Sequence, residues 1–147
     1  MNNLIAKAEV IIDATPARIW KALTDPAEVK LYLFGTNLIV KEWKVGSDIQ
    51  YKGEWMGKAY VDKGKILVYK PEELLITTYL SGISGKADIP ENYQKVSYAL
   101  TPLENKTKLT ITQENIESEE SKKHSEENWG KVLHEMKKVI EKSAVMH

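Results

Sequence analysis

Residues 118–146, SEESKKHSEENWGKVLHEMKKVIEKSAVM, decide the fold. In their second half Trp129, Leu133, Met136 and Ile140 recur at three- and four-residue spacing, with Val132 and Val139 on the flank. That is the apolar stripe of an α-helix. Lys131, Glu135, Lys137, Lys138, Glu141 and Lys142 take the other face. The stretch holds no proline, and Gly130 is its one glycine. Glu119 precedes Lys123 and Glu127 precedes Lys131, each by four residues, a spacing at which opposite charges support a helix. Continued toward the N-terminus at about 100° per residue, the stripe runs through Ser125, Lys122, Ser121 and Ser118. One helix face therefore has an apolar end and a polar end. Either the polar turns leave the body of the protein and are solvated, or they face a cavity.

The remainder of the chain is what this helix must pack against. Residues 4–12 (LIAKAEVII) alternate as a strand, with Ala6, Ala8, Val10 and Ile12 on one side. Thr15-Pro16 and Asp25-Pro26 are each an N-cap followed by proline at the first helical position, so two short helices follow in tandem. The first buries Ile19, Trp20 and Leu23; the second carries Val29, Leu31 and Leu33, and Gly35 ends the pair. From Thr36 to Asn115 the period is two. Leu38–Val40 is a short strand, and Ile49, Tyr51, Gly53 and Trp55 alternate with polar residues. Met56-Gly57 closes a tight hairpin. A strand over 59–69 contains Gly64, expected at a bulge or bend. Leu74–Leu80, then Val96, Tyr98 and Leu100, then Leu109 and Ile111 complete the set; residues 81–92 between them read as a loop. Short turns make consecutive strands antiparallel. A curved antiparallel sheet of about six to seven strands with one apolar face needs a cover, and the C-terminal helix is the element long enough to supply it. The expectation is an α+β architecture in which the sheet wraps the long helix, with residues 1–147 as a single domain.

This order of elements resembles the START-like (SRPBCC, helix-grip) superfamily. Within it, the chain resembles the branch named after the activator of the heat-shock protein 90 ATPase. Three stretches carry the resemblance: IDATPARIWKALTDP at 12–26, EWKVGSDI at 42–49 and WGKVLHEM at 129–136. Where the family usually has glycine before the helix tryptophan, this chain has Asn128. The resemblance implies a cavity between the sheet, the small helices and the long helix, in which many such proteins bind a lipid, sterol, polyketide or other apolar molecule and a few catalyse a reaction. The branch name also implies a chaperone or other protein as a possible partner, and domains of this kind also pair as homodimers.

Composition narrows the choice. Lysine plus arginine number 21, as do aspartate plus glutamate, so no global field draws in nucleic acid or an anionic membrane. The absence of cysteine excludes disulfides and thiolate metal sites and fits a reducing compartment. Residues 1–20 lack a basic start followed by an unbroken apolar run, and no run approaches the roughly 20 residues of a membrane helix. A cytoplasmic location without membrane insertion is the expectation. His124 and His134 project away from the Trp129 stripe and His147 is terminal. No metal motif, phosphate loop or nucleophile elbow is present, so no metal, cofactor or catalytic residue is expected. Lys52, Lys58, Lys63 and Lys65, interleaved with Glu54 and Asp62, read as a solvated sheet face; Glu54 and Glu114 also fall on polar strand sides.

Tyr51, Tyr79 and Tyr98 sit on or beside the apolar sides of their strands. Gln113 continues the Leu109–Ile111 face. With Ser121, Ser125 and Trp129 from the helix, these residues are the expected lining of a ligand-binding cavity; satisfied core tyrosines are the alternative. The leading functional expectation is binding of an apolar or amphipathic small molecule. The alternatives are a protein-interaction module of the co-chaperone type and a cavity enzyme such as a cyclase or hydrolase. A titratable carboxylate or histidine inside the cavity would favour the last.

Overall fold

The computed structural model describes residues 4–33 and 35–145. The side chain of Trp55, the expected helix end at Met146 and the terminal His147 lie outside the described residues. Strand β1 (Leu4–Ile12) leads into helices α1 (Pro16–Thr24) and α2 (Pro26–Tyr32). Six strands follow: β2 (Asn37–Ile39), β3 (Asp48–Trp55), β4 (Lys58–Lys70), β5 (Leu74–Tyr79), β6 (Gln94–Pro102) and β7 (Thr107–Ile116). Helix α3 (Glu119–Val145) closes the fold. The strands form one antiparallel, curved sheet in the order β1-β7-β6-β5-β4-β3-β2. The expected helix-grip architecture holds.

Local chemistry fixes the elements. Thr15 Oγ1 accepts the Arg18 N–H at 3.2 Å, and the Asp25 carboxylate accepts the Ala27 N–H at 2.9 Å, so both short helices are capped as their sequences require. Asp25 also donates its own N–H to Lys21 O, ending α1 as it begins α2. Met56 and Gly57 both take positive φ, 51° and 79°, the conformation of a type I′ hairpin turn. Leu31 is a correction: it is 61% exposed. With Val29, it is Tyr32 that α2 buries, and the Tyr32 hydroxyl donates to Ala22 O at 2.8 Å.

Gly64 also has a different reason from the one expected. The β4–β5 register shift falls between Ile66 and Val68, not at the glycine. A Cβ on Gly64 would stand 1.7 Å from the Thr78 carbonyl oxygen, so glycine is what lets β5 cross so closely. The shift inverts the side-chain alternation of β4. Gly64 and Ile66 point inward before it, and Tyr69 points inward after it, stacked on Trp43 and tilted against Trp20.

Val132, Leu133, Met136 and Ile140 of α3 are buried against the concave face, with Trp129 and Val139 partly so. Each fully buried large apolar side chain contributes about 1.5–3 kcal/mol. The helix also protects the sheet edge. β1 is an edge strand whose outward backbone groups would otherwise invite pairing with another chain. Glu126 accepts the Lys7 N–H at 3.1 Å, Glu141 accepts the Asp13 N–H at 2.8 Å, and Lys137 donates to Ile11 O at 2.9 Å. Among the described residues, no helix is long and apolar enough to cross a membrane.

Candidate functional site

The polar end of α3 stands off from the sheet, and a cavity of about 250 Å³ lies between them. Ser125, Asn128, Trp129 and Val132 line it from α3. Tyr51 comes from β3, Tyr60 and Asp62 from β4, Thr77 and Tyr79 from β5, Val96 and Tyr98 from β6, and Gln113 from β7. Leu33 and Thr36, in the segment after α2, complete the wall. Beneath it a void of only about 20 Å³ shares Tyr51, Tyr98, Trp129 and Val132 before the packed core begins.

Six of the seven expected lining residues meet here: Tyr51, Tyr79, Tyr98, Gln113, Ser125 and Trp129. Ser121 does not line the cavity. Ser118 caps α3, and its Oγ accepts the Ser121 N–H at 3.1 Å and lies 3.0 Å from the Ser121 hydroxyl. The polar stripe therefore has two parts, a cap at Ser118–Ser121 and a cavity wall at Ser125 and Asn128. Asn128, the departure from the family's glycine, lines the cavity while remaining solvent-exposed, so it sits at the mouth.

Gln113 is engaged rather than free. Its Oε1 accepts the Trp129 indole N–H at 2.8 Å, and its amide nitrogen donates to Gln94 Oε1. It fixes the indole, which meets the Tyr98 ring edge-on at a centroid distance of 6.1 Å. Tyr60 reaches the cavity across a glycine. A Cβ on Gly53, its register partner on β3, would stand 2.5 Å from the Tyr60 hydroxyl oxygen. The ring lies over that gap, and its hydroxyl is 2.7 Å from Thr36 Oγ1.

Asp62 is the group that sequence reasoning misplaced. It pairs across the ladder with Tyr51, and cross-strand partners share a face. It therefore points inward, with Tyr60 and Ile66, and not outward with the lysines. Its Oδ1 accepts the Gly82 N–H at 2.8 Å, and its Oδ2 accepts the Tyr79 hydroxyl at 3.2 Å. Burial raises its pKa above the ordinary carboxylate value, while the Gly82 and Tyr79 donors pull it partly back. Burial likewise pushes the Tyr51 hydroxyl up to about 12, with the neighbouring Tyr98 hydroxyl pulling it down and the Asp62 charge pushing it up. Burial, then the charge on Asp62, raises Tyr79.

The Gly82 contact ties the 81–92 loop to the site. A Cβ there would stand 2.3 Å from Val61 O, so only glycine lets the loop approach. Lys63–Asp88 and Lys86–Glu117 ion pairs hold the rest of the loop.

Among the described residues, no cluster of three histidines, cysteines or carboxylates could hold a metal ion. His124 and His134 are exposed on α3, as expected. The arrangement is an aromatic chamber with hydroxyl, amide and carboxylate groups converging on it, suited to holding a small molecule by shape and orienting it by hydrogen bonds.

The chain matches the family described as Activator of Hsp90 ATPase homolog 1-like protein over residues 13–141. Among solved structures it is similar to ChR145 from Cytophaga hutchinsonii, with 41% identity, 99% of each chain covered and a TM-score of 0.84. It is also similar to CV1439 from Chromobacterium violaceum, with 21% identity, 93% of this chain and 96% of that one covered and a TM-score of 0.75. The Aha1 dimer from Colwellia psychrerythraea is 20% identical, with the same coverages and a TM-score of 0.71. The last two likenesses bear on the fold alone. No functionally curated protein matches the chain. With the family match spanning most of its length and the helix-grip fold beneath it, the chain belongs to the Activator of Hsp90 ATPase homolog 1-like family, a branch of the START-like superfamily.

Proposed function

We propose that the protein binds a small amphipathic molecule between the sheet and the polar end of α3. The observation that carries this reading is the cavity itself: about 250 Å³, walled by five aromatic side chains, with one carboxylate and several hydroxyl and amide groups turned into it. An engineered apolar cavity of about 150 Å³ accepts benzene, and on that scale this one takes about ten non-hydrogen atoms. That suits one ring with a short polar arm and excludes a whole sterol or diacyl lipid. Tyr51, Tyr79, Tyr98, Ser125 and Trp129 would line the ligand. Gln113 would act through Trp129.

A ligand-observed NMR screen of small amphiphiles tests it, run in parallel on wild-type protein and Ser125→Phe. The half-buried Ser125 faces the cavity, so the phenylalanine ring would fill it. Compounds that bind the wild type and not Ser125→Phe support the reading. A screen without such compounds contradicts it.

The raised proton affinity of Asp62 favours acid–base catalysis as a second reading. A substrate turned over by the wild type but not by Asp62→Asn would support it. The family description favours a third, action on a heat-shock protein 90 ATPase. Lack of both binding and stimulation with the cell's own heat-shock protein 90 would remove it.

A further inference from the structure

Among the described residues, nothing neutralises the charge that the cavity carries. Among the described residues lining it, Asp62 is the one charged side chain. Its neighbours along β4, Lys63 and Lys65, point to the opposite face of the sheet and are already paired, with Asp88 and Asp48 respectively. Among the described residues, Asp62 meets only neutral donors, the Gly82 N–H and the Tyr79 hydroxyl, each on a different oxygen. A carboxylate accepts about four hydrogen bonds, so acceptor capacity remains toward the cavity. A partly buried carboxylate without a cation costs the fold stability, and a neutral residue would serve packing better.

The surroundings of Asp62 suit a positive charge. Tyr51, Tyr60, Tyr79, Tyr98 and Trp129 all line the same space, and the faces of such rings attract cations. No lysine, arginine or histidine lines the cavity among the described residues, so nothing there would repel one. The site is also built rather than incidental. Gly82 can reach Asp62 only because it lacks a Cβ, and Tyr60 lies over Gly53 for the same reason.

We propose that the ligand of this cavity is a small amphiphile whose polar end is a protonated amine, or another cationic nitrogen, paired with Asp62 and enclosed by the aromatic side chains. This rests on the binding function proposed above and names its ligand class. The apolar end of the ligand lies toward Val96, Val132 and the face of α3.

Titration calorimetry and chemical-shift mapping with three probes of similar size test it: 2-phenylethylamine, 2-phenylethanol and phenylacetate. The amine should bind about tenfold tighter than the alcohol, the value of one charge-assisted hydrogen bond, and phenylacetate should bind weakest. Asp62→Asn should bring amine and alcohol within about twofold of each other. Tyr79→Phe, which leaves the carboxylate in place, should keep the amine preference. The wild-type ranking stands as a test even if Asp62→Asn fails to fold. Equal binding of amine and alcohol by the wild type, unchanged in Asp62→Asn, would overturn the amine proposal and leave the cavity-binding function intact. If none of the three probes shifts a cavity resonance, both fall.

Discussion

Replacing Gly64 by alanine tests how closely β4 and β5 cross, because the cost follows from distances. The new Cβ would sit 1.7 Å from the Thr78 carbonyl oxygen and 2.5 Å from its carbon. Carbon and oxygen in contact across neighbouring strands stand about 3.3–3.6 Å apart, so the two backbones must separate by about 1.6–1.9 Å. Both partners are backbone, and no rotamer change relieves the clash.

Three hydrogen bonds span the crossing. Lys63 N–H donates to Leu80 O at 3.1 Å, Leu80 N–H to Lys63 O at 2.8 Å, and Lys65 N–H to Thr78 Oγ1 at 2.8 Å. Lengthened by about 1.6–1.9 Å, none remains a hydrogen bond. At about 1 kcal/mol net for each, the loss is about 3 kcal/mol, offset by about 0.4–1 kcal/mol from the reduced entropy of the unfolded chain. Gly64→Ala should therefore lose about 2–3 kcal/mol in urea denaturation and about 4–12 °C in Tm.

Gly130→Ala is the matched control. Gly130 lies within α3 with nothing within 4 Å of the methyl that alanine would add, so this substitution should gain about 0.5–1 kcal/mol through helix propensity. A Gly64→Ala protein within about 0.5 kcal/mol of wild type would refute the reasoning.

Three further outcomes are expected. In Gly53→Ala the clash is with a side-chain end, so Tyr60 should swing aside at a stability cost below about 1 kcal/mol, while the displaced ring changes the Kd of a cavity ligand roughly fivefold. Trp129→Phe leaves the buried Gln113 Oε1 without its donor and should cost about 1–3 kcal/mol in denaturant melts; part of this should return when Gln113→Leu is added, as a double-mutant cycle would read. Asp62 has a pKa raised above 3.8 by burial, so the native state holds the proton more tightly than the unfolded state. Its contribution to stability is greatest below that value and is lost as pH rises through the folded pKa. Stability measured against pH should show Asp62→Asn gaining on the wild type from acid to neutral pH; a constant difference across that range would contradict the burial of the carboxylate.

The legible parts of this fold were those in which one local signal decided one element. The stripe Trp129–Leu133–Met136–Ile140, the caps at Thr15 and Asp25 and the hairpin at Met56-Gly57 each act within a few residues, and each holds. Asp62 was illegible because β4 changes phase. Counted back from Tyr69, the alternation puts Lys63 inside and Asp62 outside; counted back from Ile66, it puts Asp62 inside, and the register shift between Ile66 and Val68 makes the second count the valid one. The inward parity of Ile66, Gly64 and Tyr60 was the signal that could have found it. Ser121 failed for another reason: helix periodicity gives the face of a residue but not whether the first turn is spent on its own cap. Leu31 and Tyr32 differ by one position on a helix of two turns, too short for periodicity to discriminate, and the Ala22 carbonyl that receives the Tyr32 hydroxyl lies on another helix.

The most direct test of a ligand-binding cavity is the indole N–H resonance of Trp129 during titration with 2-phenylethylamine. This N–H lies at the cavity wall and donates to Gln113. Trp20 and Trp43 pack against Tyr69 and serve as internal controls. A ligand in the cavity should give a saturable shift of the Trp129 signal, absent in Ser125→Phe, with the Trp20 and Trp43 signals unmoved. A Trp129 signal that stays fixed, or that moves equally in Ser125→Phe, would contradict a binding cavity at this place.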